Sequence, residues 1–208
     1  VFKMAGSTVA LSPPSLSLWK LPSQGLSVVH GSGEASKLSH YFLPRLLLQG
    51  QQVLFLDGAN CFNPRLIARF ARHRGIPFEQ FSRQIQIARA FTCFQLTELT
   101  ARVPRLLQKF PANVLMVTAL PDLYFDEDIK DWNARIAFEQ ALSNLRQLAP
   151  LPLSVAVFSD ARAFLPPVPR RRFFEKLKGE ANEVMRFRLD SEQRLELTRE
   201  RSSPQLAS

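Results

Sequence analysis

The amino-acid sequence predicts an α/β domain with a mostly parallel sheet, helices on both faces and an antiparallel hairpin at its C-terminal end. Short apolar runs alternate with amphipathic helical segments along residues 26–159. Strands that alternate with helices of this length pair in parallel through right-handed crossovers. From residue 183 onward, two segments of alternating apolar and charged residues predict the hairpin.

Each predicted strand of the parallel sheet is a short apolar run bounded by polar or turn-forming residues. These runs lie at residues 26–30, 53–57, 85–88, 114–118 and 153–159. The run that begins at Val114 is continuously apolar, so this strand is expected to be buried on both faces. The two hairpin strands are expected within residues 183–200, joined by a turn at Asp190 and Ser191.

Helical spacing of apolar residues predicts the segments between the strands. The predicted helices cover residues 37–48, 64–73, 95–110 and 129–148. Pro44 is expected to kink the first helix, because proline cannot donate the backbone hydrogen bond of a helix interior. The second helix has Pro64 in its first turn and Gly75 after its end, which is the usual placement of these residues at helix termini.

The chain is expected to form one core domain at residues 25–200, with an extended arm at residues 1–24 and a flexible tail at residues 201–208. In the arm, Leu18 and Trp19 form an apolar pair that either docks on a neighbouring molecule or covers its own domain. The longest apolar runs are too short to span a bilayer, so no membrane partner is expected.

Cysteine and histidine spacing argues against a metal site. Cys61 and Cys93 form no CxxC pair, and His30, His40 and His73 have no metal-ligand spacing. The two thiols are therefore expected to be reduced, which is typical of a cytoplasmic protein.

The charge balance favours a polyanionic partner. The formal net charge is +9 and the sequence pI is about 10.2. Excess positive charge attracts nucleic acid in particular. The other interpretation is a basic soluble protein with no nucleic-acid contact.

The middle of the chain resembles the RecA/RadA family of strand-exchange recombinases. The resemblance is carried by two strings, VLFLDGANCFNPRLIARFARHRG and IQIARAF, with Gln95 shortly after them. A weaker likeness in rhythm is given by RIAFEQALSNLRQLAPLPLSVAVFSD. The likeness covers about residues 25–200 and is specific between Val53 and Gln95. It implies a RecA-like core of the P-loop type.

The resemblance also implies a phosphate loop, which in this class reads G-x-x-x-x-G-K-[ST]. Gly31 and Lys37 are in register with that motif, and Gly33 lies between them. Ser36 replaces the second glycine, and Leu38 replaces the hydroxyl that holds magnesium. The segment is therefore interpreted as a vestigial phosphate loop, with Gly31, Gly33, Ser36 and Lys37 as its remaining residues.

The other positions that the resemblance assigns to ATP hydrolysis are also changed. Glu34 places a negative charge where phosphates would sit. Ala59 stands at the water-activating position, Thr118 at the magnesium-supporting position with Asp122 four residues later, and Asp160 at the polar sensor position. These losses predict that the chain is not an enzyme and has no cofactor. Weak ATP binding through Lys37 is the alternative to a merely solvated lysine.

The densest positive cluster is Arg170, Arg171 and Arg172, which follows the proline-rich LPPVP. It falls where the family's second DNA-binding loop would end, with Phe173 and Phe174 beside it, so a contact to single-stranded DNA is expected. The alternative is the solvated first turn of a helix whose phenylalanines face the core. Alternating arginines of the hairpin either extend the basic strip or form a solvent face: Arg186, Arg188, Arg194 and Arg199.

The sequence thus favours a non-catalytic RecA-like accessory protein, a pseudo-ATPase that acts in DNA repair, DNA recombination or damage-response mutagenesis. Bacterial accessory proteins of damage-response mutagenesis are similar in being degenerate RecA homologues. The expected partners are single-stranded DNA and a RecA-like recombinase or a translesion polymerase. The alternatives are an ATPase of the same superfamily with rearranged ligands, and a purely structural partner subunit.

Overall fold

The structure, a computed structural model, describes residues 2–4, 7–9, 21–22, 24–31, 34–161, 166–189 and 195–202. Its strands are β1 (Phe2–Met4), β2 (Ser7–Val9), β3 (Gly25–Gly31), β4 (Val53–Asp57), β5 (Ile85–Arg89), β6 (Val114–Thr118), β7 (Ser154–Ser159), β8 (Glu183–Leu189) and β9 (Leu195–Ser202). Its α-helices are α1 (Ser39–Leu48), α2 (Pro64–His73), α3 (Phe78–Ser82), α4 (Cys93–Lys109), α5 (Asp131–Arg146) and α6 (Arg172–Glu180). Short 3-10 turns lie at Ala35–Leu38, Asp122–Phe125 and Val168–Arg170.

Seven strands form the main sheet in the order β5-β4-β6-β7-β3-β8-β9. All neighbours in this sheet are parallel except β8 and β9, which form an antiparallel hairpin. Strands β4 and β6 are interior neighbours in parallel register, with Val53 opposite Val114 and Asp57 opposite Thr118. The predicted α/β fold, with its mostly parallel sheet and C-terminal hairpin, is confirmed.

Apolar side chains alternate between the two faces of the sheet and build a separate core on each. On one face, strand residues such as Leu54 pack with α4, α5 and α6. On the other face, residues such as Phe55 pack with α1, α2 and α3. Because both faces are covered, the interior strands carry almost no exposed side chain, as in other parallel sheets.

Helix ends follow local capping chemistry. Helix α2 has the predicted bounds, because the Asn63 side chain accepts a hydrogen bond from the Arg65 amide at 3.0 Å and Pro64 follows that cap. Helix α4 begins two residues earlier than predicted, since the Thr92 hydroxyl caps it by accepting from the Gln95 amide at 3.2 Å. Helix α1 contains Pro44 in its interior.

The chain ends differ in part from the predicted arm and tail. Strands β1 and β2 pair with each other as a separate antiparallel hairpin within the predicted extended arm. Strand β9 runs to Ser202, two residues into the predicted tail. Leu18, Trp19, the predicted turn at Asp190 and Ser191, Arg194 and residues 203–208 lie outside the described residues. In the described part of the chain, no helix has both the length and the apolar character needed to cross a bilayer.

Candidate functional site

The candidate site lies at the edge of the sheet where the parallel strands β3, β4, β6 and β7 all end. The carboxyl ends of parallel strands are the usual ligand-binding edge of an open α/β sheet. The segment that the sequence resemblance interprets as a vestigial phosphate loop begins at Gly31, the last residue of β3, and Asp160 follows β7. Gly33 of that loop lies outside the described residues.

The loop amides that would face phosphates are bonded to a carboxylate of the same chain. The amide of Ala35 donates to Oδ1 of Asp160, and the amide of Ser36 donates to Oδ2 at 3.2 Å. Successive backbone amides that converge in this way form an anion-binding concavity. In this protein the Asp160 side chain occupies that concavity.

Asp160 is itself held by a second carboxyl group. Its amide donates to Oδ2 of Asp122 at 2.7 Å, and the Ser159 hydroxyl donates to Oδ1 of Asp122 at 2.8 Å. Burial raises the pKa of Asp122 to about 7, and the nearby Asp160 charge acts in the same direction. Protonation of Asp122 thus relieves repulsion between two neighbouring carboxyl groups.

Gly31 is required by packing against the C-terminal hairpin. A Cβ atom at Gly31 would lie 2.0 Å from the Cδ1 atom of Phe187 and 2.7 Å from its backbone oxygen. The Phe187 ring also packs on Ala35, at the start of the 3-10 turn. The space beside the first loop glycine is therefore filled by an aromatic side chain.

Lys37, the expected phosphate ligand, is paired with a residue of its own turn. Its Nζ atom forms an ion pair with the Glu34 carboxylate, and half of its side chain is exposed. Glu34 has a φ of 61°, a left-handed conformation that non-glycine residues rarely adopt. Leu38 packs against Ala35 and Phe187. The loop therefore presents one locally neutralised lysine.

The two positions assigned to catalytic carboxylates are joined by neutral groups. The Ala59 amide donates to Oγ1 of Thr118 at 3.1 Å, and Thr118 donates to Oδ1 of Asp57 at 3.2 Å. A hydroxyl and a backbone amide cannot take a proton from water as a carboxylate does, and neither brings the negative charge with which a carboxylate supports magnesium. These positions serve instead to link the ends of β4 and β6.

Asp57 is fully buried and anchors the turn after β4. Its two oxygens accept from the amides of Cys61 and Phe62, each at 2.9 Å. The Arg89 Nε atom lies 3.5 Å from Oδ2 of Asp57. Both oxygens are therefore used within the protein, which accounts for a charged residue in a buried position.

Sequence reasoning missed a partly buried polar cluster next to the loop. The Cys61 thiol donates to the carbonyl of Ser36 at 3.5 Å, and His40 Nε2 accepts from the Asn63 amide at 2.8 Å. Burial raises the pKa of Cys61 to about 12 and lowers the pKa of His40. The thiol stays protonated and the imidazole neutral at neutral pH, so the cluster lacks an activated nucleophile. Only the fold brings these distant residues together.

The prediction that Arg170 contacts DNA is wrong, because its side chain is buried. Its side chain is 2% exposed, and its Nε atom lies 2.7 Å from Oδ1 of Asp131. Its other nitrogens donate to the carbonyls of Tyr124, Asp126 and Ile129. All the donors that would face a phosphate point into the protein, because the 3-10 turn before α6 packs over the loop that precedes α5.

Arg171 and Arg172 are exposed, as the DNA contact requires. Phe173 and Phe174 are 3% and 6% exposed and pack in the core, so the stacking part of that prediction is wrong. Phe173 instead stacks on Phe138 with ring centroids 4.4 Å apart. These two residues fit the alternative interpretation, in which the arginines begin a helix whose phenylalanines face the core.

The hairpin arginines are partly neutralised. Arg199 pairs with Glu183 at 2.5 Å, and Arg188 lies 3.7 Å from Glu196. Arg186 is half-buried. The hairpin therefore adds less positive charge to the surface than its sequence indicates.

No group of three or more histidine, cysteine or acidic side chains in the described ranges is placed to hold a metal ion. Cys61 and Cys93 are free thiols. No protein-family model and no curated protein sequence matches this chain.

Proposed function

We propose that this chain is a RecA-like accessory protein that binds nucleic acid and a protein partner without hydrolysing ATP. The observation that carries the proposal is the Asp160 carboxylate, which accepts hydrogen bonds from the loop amides of Ala35 and Ser36. A nucleotide phosphate would have to displace this negative group from the same amides. Phe187 against Gly31 supports the same conclusion, since its ring and backbone oxygen fill the space beside the first loop glycine.

The chemistry of the neighbouring positions supports the loss of hydrolysis. Phosphoryl transfer requires a held magnesium ion and an oriented water. Ala59 and Thr118 are bonded to each other where the RecA resemblance expects carboxylates. Lost metal ligands and a lost water-orienting group each remove orders of magnitude of rate.

The charge and exposed arginines support a nucleic-acid partner. The chain has a net charge of +9, and Arg171 and Arg172 are exposed at the start of α6. We propose single-stranded DNA as the preferred form, in repair, recombination or damage-response mutagenesis. This role implies a cytoplasmic location.

An exposed apolar surface supports a protein partner, for which we propose a RecA-like recombinase or a translesion polymerase. Phe94 and Ile136 line one groove between α4 and α5 and are 49% and 50% exposed. Trp132, one helical turn before Ile136, and Phe91, just before α4, are each 64% exposed. Large apolar side chains grouped on a surface are typical of protein interaction sites.

The decisive experiment compares ATP turnover by the protein and its Lys37→Ala variant, with and without single-stranded DNA. We expect equal rates at background level. A magnesium-dependent rate that Lys37→Ala abolishes would establish the ATPase alternative. The binding role is tested separately by anisotropy with a labelled oligonucleotide and by titration with a purified recombinase or polymerase. Binding to neither would leave the structural-subunit alternative.

A further inference from the structure

Helix α2 carries a row of arginines on its outer face. Arg65, Arg69 and Arg72 follow one another at spacings of four and three residues, which places them on the same side of a helix. All three are exposed. The opposite side of the helix is fixed in the core by Ile67 and Ala71, which are 1% and 0% exposed. The row is therefore held in one orientation by the fold.

These arginines form no ion pair within the described part of the chain. No ion pair joins Arg65, Arg69 or Arg72 to a described carboxylate, whereas several basic residues on other helices are paired: Arg102 with Glu98, Arg146 with Glu180 and Lys176 with Glu139. Residues 64–84 contain five arginines and one glutamate, a net charge of +4 out of +9 for the whole chain. The positive charge is thus concentrated on this segment.

Aromatic rings lie at the C-terminal end of the same helix. The Arg74 guanidinium lies over the Phe70 ring, 5.5 Å from its centroid, and Phe70 stacks on Phe81. Phe78 begins α3 and is 38% exposed. The exposed Phe78 ring offers a surface on which a base can stack, and the arginines of α2 offer contacts for the phosphates.

We propose that the α2 face, made of Arg65, Arg69 and Arg72, binds single-stranded nucleic acid together with the exposed ring of Phe78 in α3. The inference rests on the proposed nucleic-acid binding and assigns it to a surface of its own. At 1.5 Å per residue, the row from Arg65 to Arg72 spans about 10 Å. A stacked single strand that kept the 3.4 Å rise of a duplex strand would place roughly three phosphates along that length. The planar guanidinium also suits phosphate better than a lysine does.

The packing of α2 argues against a lipid surface. A membrane-surface helix presents a free apolar face to the bilayer. The apolar face of α2, with Ile67 and Ala71, is already buried in the core against the sheet. Only the charged face remains for a partner, which leaves nucleic acid or an acidic protein.

The α2 face is distinct from the contact at Arg171 and Arg172. Helix α2 packs with α1 and α3 on one face of the sheet, whereas α6 packs with α4 and α5 on the opposite face. Variants on the two helices therefore report on separate surfaces.

The test measures binding of a fluorescein-labelled oligothymidylate by anisotropy at several KCl concentrations. The variant is Arg65→Ala/Arg69→Ala/Arg72→Ala. The matched control is Arg102→Ala/Arg105→Ala/Lys109→Ala, which removes the same charge from exposed positions of α4. The logarithm of the binding constant falls as the logarithm of the salt concentration rises, by about 0.7 per phosphate contact. We expect the α2 variant to reduce the magnitude of this slope by about 2. The α4 control is expected to leave the slope unchanged. Circular dichroism verifies that both variants are folded.

A second variant separates stacking from charge. Phe78→Ala is expected to weaken binding about five- to tenfold with no change in slope, because a ring is lost and no charge is removed. A tenfold loss in the α2 variant with no such loss for Phe78→Ala would overturn the stacking role alone.

The outcomes distinguish this inference from the proposed function. An unchanged slope in the α2 variant, with a lowered slope in Arg171→Ala/Arg172→Ala, overturns the α2 assignment and leaves nucleic-acid binding intact. No binding by the unmodified protein at low salt overturns both. Displacement of the oligonucleotide by polyglutamate at equal charge concentration overturns the assignment of the α2 face to nucleic acid, in favour of an acidic protein partner.

Discussion

Arg170 and Asp131 form an ion pair of 2.7 Å in which the guanidinium is almost wholly buried and the carboxylate is half-exposed. The pair joins the 3-10 turn before α6 to the first residue of α5. The remaining donors of Arg170 bind three backbone carbonyls. The Arg170 side chain thus fixes the conformation of the segment between β6 and α5.

Arg170→Ala is expected to lower the free energy of unfolding by about 3 kcal/mol, because it leaves three carbonyls and Asp131 without their donor. Urea unfolding followed by circular dichroism measures the loss. Arg171→Ala is the matched control, and we expect it to change stability by less than about 0.5 kcal/mol, since this side chain is exposed. Equal losses in the two variants would contradict the structural role of Arg170.

Arg171→Ala/Arg172→Ala is expected to lower the salt slope for single-stranded DNA by about 1.4, at about 0.7 per contact. Only Arg171 and Arg172 are expected to contact phosphates, since the side chain of Arg170 is buried. Anisotropy across salt concentrations gives the slope. A slope equal to that of the unmodified protein would exclude the start of α6 from the interface.

Asp160→Ala is expected to destabilise the fold by about 1–3 kcal/mol, because the amides of Ala35 and Ser36 lose their acceptor. Asp160→Asn retains one oxygen and should lose less. Neither variant should gain ATP turnover, since Ala59 and Thr118 are unchanged. Thermal unfolding measures the stability, and a phosphate-release assay measures ATP turnover. An Asp160→Asn variant less stable than Asp160→Ala would contradict the role of the Asp160 carboxylate as acceptor.

The partly buried carboxyl of Asp122 gives the stability of the fold a defined pH dependence. Its pKa is about 7 in the folded protein against an ordinary 3.8, so the folded state holds the extra proton between these values. The free energy of unfolding therefore falls as pH rises from about 4 to 7, by at most about 1.4 kcal/mol per pH unit from this group.

Asp122→Asn removes the titrating proton while keeping an acceptor for the Asp160 amide. We expect the variant to gain stability relative to the unmodified protein as pH rises through this window. Urea unfolding at pH 5 and pH 8 measures the change. Glu127→Gln, at an exposed position, serves as the control. The same pH response in Asp122→Asn and the unmodified protein would assign the dependence to another group.

Much of the fold could be predicted because its signals are local. The apolar run at Val114 and the proline and glycine around α2 depend on neighbouring residues alone. Helix α3 was missed, because five residues contain too little periodicity to mark a helix.

The site could be predicted only in outline, because its contacts join distant parts of the chain. The sequence resemblance placed Lys37 at the phosphate-binding position and Asp160 at the polar sensor position. It could not show that Asp160 accepts from the amides of a loop more than 120 residues earlier. The burial of Arg170 was hidden for the same reason, since its acceptors lie about 40 residues before it.

The position of β3 within the sheet has a consequence for how the chain folds. Gly25 of β3 pairs with Ser154, and Ser27 of β3 pairs with Glu183. At roughly 5–20 residues per second of synthesis, β3 precedes its first partner strand by on the order of ten seconds. Its buried valines, Val28 and Val29, have no strand to pair with during that interval. Such distant pairings are slow, so closing the sheet around β3 is expected to be the late step of folding.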